Sequence, residues 1–156
     1  MSITPRLQSY LDQSKAEYGV LEHAPRYTAM EIAQALHVSG KEFAKVVVAR
    51  ADGQYLMAVV PAFCKVDLDT LSRAAGTKRL DLATEQEMSR LFPDCEVGAA
   101  PPFGNLYGIP VWVDSRLTED EQIVFEAGSH QSALRMKFID FVKAVHPHVM
   151  DFGRAA

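Results

Sequence analysis

The sequence predicts an α+β domain, a mixed and largely antiparallel sheet flanked by helices. Three observations predict it. Helical spacings and β-rich runs are interspersed along the chain, neighbouring strands look hairpin-connected, and few of them enclose the helical stretch that a parallel crossover needs. A chain of 156 residues with 48% hydrophobic content has the length of one ordinary domain and the material for one core. No internal repeat, low-complexity tract or linker divides it, so residues 1–156 read as a single domain.

The elements follow in order. Thr4-Pro5 places a capping residue and an N1 proline ahead of Leu7, Tyr10 and Leu11, a helical spacing that runs to about Tyr18 before Gly19. A short strand is expected over 20–23. Thr28-Ala29-Met30-Glu31 is a capping box, and its helix passes through Ala33 and Leu36 to close near Ser39-Gly40. The β-rich runs 43–50 and 54–61 surround Ala51-Asp52-Gly53, a strong hairpin signal. A helix starts near Asp67 and stops at Gly76. Thr84 to Glu87 forms a second capping box whose helix ends by Phe92-Pro93. After a Gly- and Pro-rich loop over 98–108 come strands at 109–114, 123–127 and 134–138. Asp140 is placed to cap a last helix, which His146-Pro147 ends.

Composition narrows the function. Charged residues make up 23% of the chain, which does not indicate disorder. No apolar run approaches the roughly 20 residues of a membrane-spanning helix. The start, MSITPRLQSYLDQ, lacks the basic and apolar regions of a signal peptide. Cys64 and Cys95 have no CxxC spacing, which suits a reducing cytosol and argues against zinc; both read as small core residues. A net charge of −4 disfavours indiscriminate nucleic-acid binding, and DNA is not an expected partner. Residues 41–80, however, carry seven basic groups against four acidic ones, so this segment is +3 and the rest of the chain −7. Such a segment is either a solvated mixed-charge face or a surface for a phosphate backbone.

Places where a local rule fails point to function. In Phe43-Ala-Lys-Val-Val-Val-Ala49, alternation sets Phe43, Lys45, Val47 and Ala49 on one face and Ala44, Val46 and Val48 on the other. Both faces look buried, so Lys45 must snorkel to an edge or meet an anion. Gly98-Ala-Ala-Pro-Pro-Phe-Gly104 is a stiff loop that is either a plain turn or a frame presenting N–H groups to an oxygen ligand. Gly128-Ser129-His130 follows the strand at 123–127; small residues and a histidine there line a pocket or lie on the surface. Adjacent Ser and His side chains diverge in an extended segment, so they are no catalytic pair. His23, His37, His146 and His148 lack metal-ligand spacing, and the last two read as surface residues. No P-loop, dinucleotide fingerprint, HExxH or GxSxG is present.

From His23 to Phe152 the order of these pieces resembles the YbaK/prolyl-tRNA-synthetase-associated family of aminoacyl-tRNA deacylases. The matching pieces are Tyr27-Thr28, Glu31-Ile32-Ala33, Lys45 in its apolar strand, the GxxxP loop from Gly98 to Pro102 with Phe103-Gly104 after it, and Gly128-Ser129-His130. The resemblance implies a free-standing, cytoplasmic hydrolase that acts in trans on the ester joining an incorrect amino acid to the 3′ ribose of a tRNA. It implies that Lys45 helps hold the terminal adenosine and aminoacyl group, and that the GxxxP loop, matching Gly98 and Pro102, shapes the pocket and offers backbone donors near the scissile carbonyl. His23, Thr28, Phe103, Gly104, Gly128, Ser129 and His130 become the expected substrate-binding set, with the role of His130 open because that position varies among subfamilies. Water attack assisted by a substrate ribose hydroxyl needs no metal or cofactor. The expected partner is the acceptor end of a mischarged tRNA, together with an aminoacyl-tRNA synthetase such as prolyl-tRNA synthetase where one is required. Two other readings stay open: a non-catalytic module that binds tRNA or a synthetase, and a hydrolase of small acyl esters or nucleotide-like ligands.

Overall fold

The structure, a computed structural model, describes residues 3–26 and 28–156, so the expectation for Tyr27 lies outside the described residues. Thr4 caps α1 (Pro5–Gln13), its hydroxyl accepting from the Leu7 amide at 3.2 Å, and Leu7 and Leu11 turn inward. The helix stops well short of Tyr18. Lys15 takes a left-handed φ of 57° and the Ala16 amide turns back to the Leu11 carbonyl. Tyr18 instead begins β1 (Tyr18–Glu22). The Thr28–Glu31 capping box heads α2 (Ala29–Ala35), which ends at Leu36 because His37 is left-handed, with φ 56°.

The expected hairpin forms from β2 (Ala44–Ala51) and β3 (Gln54–Pro61), with Ala51 drawn into the strand opposite Gln54. Asp52 and Gly53 both have positive φ, 52° and 79°, as a right-twisted two-residue turn requires. Then come β4 (Cys64–Val66), α3 (Leu68–Ala75) between the Asp67 cap and left-handed Gly76, β5 (Asp81–Leu82), and α4 (Glu85–Leu91) under the Thr84–Glu87 capping box. Beyond a 3₁₀ turn at Gly104–Tyr107 lie β6 (Val111–Asp114), β7 (Gln122–Ser129), β8 (Ser132–Lys137), α5 (Phe138–Val145), β9 (His148–Met150) and β10 (Gly153–Ala155). Asp140 does not cap α5. Lys137 occupies the N-cap position without a side-chain bond, and Asp140 sits in the first turn, where its charge still suits the helix dipole.

The α+β class holds, with the strands divided among a five-stranded sheet β5-β2-β3-β6-β9, a three-stranded sheet β1-β8-β7 and a ribbon β10-β4. Five of the seven strand pairings among the described residues are antiparallel. The parallel pairs, β3–β6 and β6–β9, arise from long crossovers; α3, β5 and α4 all lie within the first. The two larger sheets meet where a single bridge joins Phe43 to Val124, supported by the Val124 amide on the Glu42 carbonyl at 3.1 Å. Phe103, Phe125 and Phe141 form the aromatic centre of the main core, with Phe103 edge-on to Phe141 at 5.5 Å. A second cluster, including Ala58, Val60, Leu71 and Phe152, covers the other face of the five-stranded sheet.

One buried charge ties the C-terminal ribbon to this sheet. Asp114 is fully buried, and its carboxylate accepts from the amides of Phe152 (3.1 Å), Gly153 (2.7 Å) and Arg116 (3.2 Å). A side chain at position 153 would press on that carboxylate, which explains the glycine. Asp114→Ala would leave the two buried amides without an acceptor, while the Arg116 guanidinium keeps the Gly153 carbonyl and Asp151. Its unfolding free energy in urea is expected to fall by about 2–6 kcal/mol, from about 1–3 kcal/mol for each buried donor left unsatisfied.

Candidate active site

A cleft of about 310 Å³ opens beside the junction of the two sheets. Thr28, Ala29 and Met30 at the start of α2 form one wall. Lys45 and Val46 of β2 lie at its floor with Ala62, and Gly98 and Glu126 close the far side. Val46 and Gly98 also border a small, mostly apolar recess of about 20 Å³, lined further by Val48, Met88, Phe92, Glu96 and Val97.

Lys45 resolves its misfit in a way the strand pattern did not anticipate. Its ammonium neither snorkels to an edge nor meets an anion; it donates to the main-chain carbonyl of Cys64 on β4. Burial lowers its pKa from the ordinary lysine value, because desolvation penalises the charged form. The side chain remains half-buried and lines the cleft.

Gly98 adopts φ 85°, a conformation that disfavours any other residue. Its loop is laced to β7 by backbone bonds: the Glu96 amide donates to the Gly128 carbonyl at 2.8 Å, and the Gly128 amide to that of Ala99 at 2.9 Å. His130 completes the lacing. It is buried, Nε2 lies 2.8 Å from the Val97 carbonyl, Nδ1 lies 3.0 Å from Glu126 Oε2, and its amide donates to Glu96 Oε1 at 3.3 Å. The reading of His130 as a surface residue gives way to a buried clasp that holds the loop. Gly128, with φ 113°, has no room for a Cβ because Thr4 packs on it.

The other expected residues divide. Thr28 borders the cleft, yet its hydroxyl is spent on the Glu31 carboxylate and amide. Ser129 accepts from the Gln131 amide at 3.3 Å in the turn after β7. His23 Nδ1 is 2.8 Å from the Ala24 carbonyl, while its enclosed Nε2 has no hydrogen-bond partner among the described residues. Pro102, Phe103 and Gly104 are buried: Phe103 is a core aromatic, and Gly104 is packed against the Ile109 carbonyl. These three support the loop from behind and do not border the cleft. His148 is exposed as expected, stacked on Trp112.

Glu126 was missed. The rule that singled out Lys45 also singles it out, an acid inside the apolar run Ile123-Val-Phe-Glu-Ala127. Burial, reinforced by the neighbouring Glu96 charge, pushes its carboxyl up to about 8. Among the described residues no cluster of His, Cys, Asp and Glu is arranged to hold a metal, and no helix is long and apolar enough to cross a membrane. The basic segment is partly neutralised in space: Arg50 pairs with Glu87 (3.6 Å) and Arg79 with Asp81 (2.9 Å), whereas Lys65 and Lys78 are exposed.

This fold, with a cleft between a strand lysine and a glycine loop, is that of the editing hydrolases. The model of the aminoacyl-tRNA editing domain matches residues 23–144, and the chain belongs to that family. Membership makes it an enzyme of aminoacyl-tRNA editing, a deacylase. It is 27% identical to the Multifunctional Ser/Thr-tRNA deacylase ProXp-y of Escherichia coli (strain K12), over 97% of this chain and 93% of the relative. Its backbone is similar to a crystal structure described as a candidate trans-editing enzyme for prolyl tRNA synthetase (TM-score 0.86, 23% identity, 99% and 100% of the two chains). It is equally similar to that of hypothetical protein APE2540 (TM-score 0.86, 22% identity, 96% and 99%).

Because the folded protein holds the Glu126 proton more tightly than the unfolded chain, folding takes up a proton between the ordinary glutamate value of 4.5 and about 8. Stability from this group is therefore complete below that interval and declines as pH rises through it. Glu126→Gln keeps a donor for His130 and loses the titration. The difference in melting temperature between variant and wild type should shift in favour of the variant as pH is raised to 8 and level off above it.

Proposed function

We propose that this chain hydrolyses the ester bond of mischarged aminoacyl-tRNA in trans, with Lys45 and the Gly98–Pro102 loop positioning the aminoacyl-adenosine end. The observation that carries this is the meeting of Lys45 and left-handed Gly98 on one cleft, next to a recess shared by Gly98 and Val46. In this reading the Lys45 ammonium, held by the Cys64 carbonyl, has protons left for the adenosine and the aminoacyl carbonyl. The Gly98 segment turns a backbone N–H toward the oxyanion, and a substrate ribose hydroxyl orients the water. An aminoacyl ester is already activated, so positioning and charge stabilisation suffice for the chemistry.

A recess of about 20 Å³ has room for only one or two water-sized groups. It therefore favours a small side chain, and Glu96 offers an acceptor to a hydroxyl. Serine and threonine esters are the first substrates to test, in keeping with the substrates named for the E. coli relative. Exposed Lys65 and Lys78, with Lys41 and Arg73, form the surface for the acceptor-stem phosphates.

Lys45→Ala should fold as wild type and lose at least tenfold in deacylation across a panel of mischarged tRNAs; the fold is checked by circular dichroism. Removing one oxyanion donor typically costs about 3–4 kcal/mol, so the loss can reach 10²–10³ in rate. Wild-type turnover by the folded variant removes Lys45 from the site. A wild-type protein that binds tRNA but deacylates none of the panel is a binding module. Exhaustive chelation should leave the rate unchanged.

Binding of an acceptor-stem minihelix should weaken steeply with salt. Changing Lys65 and Lys78 to Ala should flatten the log–log slope by about one unit per contact. Changing Arg6 and Lys15 should leave it as it was.

A further inference from the structure

Glu126 lines the cleft together with Gly98 and Lys45, and is bonded to a histidine whose other nitrogen is already committed. The Val97 carbonyl can only accept, so His130 Nε2 must carry a hydrogen there. That leaves Nδ1 and Glu126 Oε2, 3.0 Å apart, to hold one proton between them. If both lacked it, two lone pairs would face each other; with it, the couple is neutral overall whichever atom carries the hydrogen. Among the described residues, His130 is bonded to this carboxyl, the Glu96 charge acts on it, and Lys45 lines the same cleft. A proton-sharing couple of this kind is not needed to hold a loop, since Gln in place of Glu126 would donate to Nδ1 equally well.

We infer that Glu126 is the proton acceptor for the water that attacks the ester, with His130 taking on the proton that Glu126 displaces. The inference rests on the deacylase reading above. As the water oxygen bonds to the ester carbonyl carbon, its proton passes to Oε1, the Glu126 oxygen not spent on His130, while the Oε2 proton moves to Nδ1. The carbonyl electron pair moves onto its oxygen, and the couple becomes a cation beside the Glu96 carboxylate. Collapse re-forms the carbonyl and breaks the bond to the ribose oxygen. That oxygen takes the proton back from Oε1, and Nδ1 returns its own to Oε2. Atoms and charge balance without a metal or a covalent intermediate. A carboxyl held at about 8 is matched to proton transfer near neutral pH.

The decisive variant is Glu126→Gln, which keeps the volume and the hydrogen bond to Nδ1 but cannot accept a proton. It is assayed beside wild type on seryl- and threonyl-tRNA mischarges, with uncatalysed hydrolysis subtracted. The expected result is an unchanged far-ultraviolet circular dichroism spectrum, a KM close to wild type and a kcat lower by about 10²-fold or more, the usual contribution of a positioned base. Wild-type kcat in the folded variant overturns the inference and leaves the deacylase reading standing. Absence of deacylation by wild type defeats that reading itself. A second measurement needs no variant: carbon-13 shifts of the glutamate carboxyls in wild-type protein, followed through a pH titration. One glutamate should titrate near 8, and titration of every glutamate in the ordinary carboxylate range overturns the shared proton.

Discussion

The junction of the two larger sheets is the constraint on which the site depends. A single bridge between Phe43 and Val124 joins strands that otherwise belong to different sheets. Phe43 immediately precedes β2, so Lys45 enters two residues beyond the join; Glu126 leaves it two residues beyond Val124 on the other side. The same interval in both strands puts a cation and an acid on the cleft formed where the sheets diverge. Phe43 is also the residue whose carbonyl receives the Ala62 amide, so the join positions the end of β3 as well.

Each charged group at the cleft is held by a neutral or oppositely polarised partner instead of being left to solvent. Lys45 leans on a carbonyl of β4, and β4 is kept in place by pairing with β10. The amide of Gly153 in β10 is in turn fixed by buried Asp114, so a buried carboxylate of β6 indirectly sets the position of the cleft cation. On the other side Glu126, His130 and Glu96 lean on one another and on the backbone of the Gly98 loop. Low dielectric and fixed partners make these interactions stronger than their equivalents in water, and leave little to reorganise when a substrate arrives.

Much of this was legible in the chain. Capping boxes at Thr28 and Thr84, the Asp52-Gly53 turn and the Asp67-to-Gly76 helix are set by contacts within a few residues, and they formed as read. What escaped depends on distant partners. The three-residue strands β4, β9 and β10 have no periodicity of their own and exist because β10, β6 and β4 are there to pair with them. Lys45 stood out as a misfit, but its carbonyl partner is 19 residues away on another strand. His130 was read from its neighbours Gly128 and Ser129, whereas its role is decided by Val97 and Glu126. Phe103 and Gly104 were carried into the site with their loop, and only packing reveals that the loop turns into the core at that point.

The two walls of the cleft differ in how freely they can vary. Around Gly98 and Gly128 the positions are over-determined: two positive-φ glycines, reciprocal backbone bonds, and Thr4 filling the space where a side chain would start. A substitution there disturbs several backbone bonds together, so drift on that side is tightly restricted. The opposite wall is the exposed first turn of α2, where Met30 is 48% solvent-accessible and no backbone bond depends on its side chain. Methionine is an adaptable apolar side chain, and its replacement reshapes the α2 side of the cleft without disturbing the backbone bonds around Gly98 and Gly128. The architecture thus joins a rigid side to an adjustable one, and the outline of the cleft can change on the helix while the glycine side stays as it is.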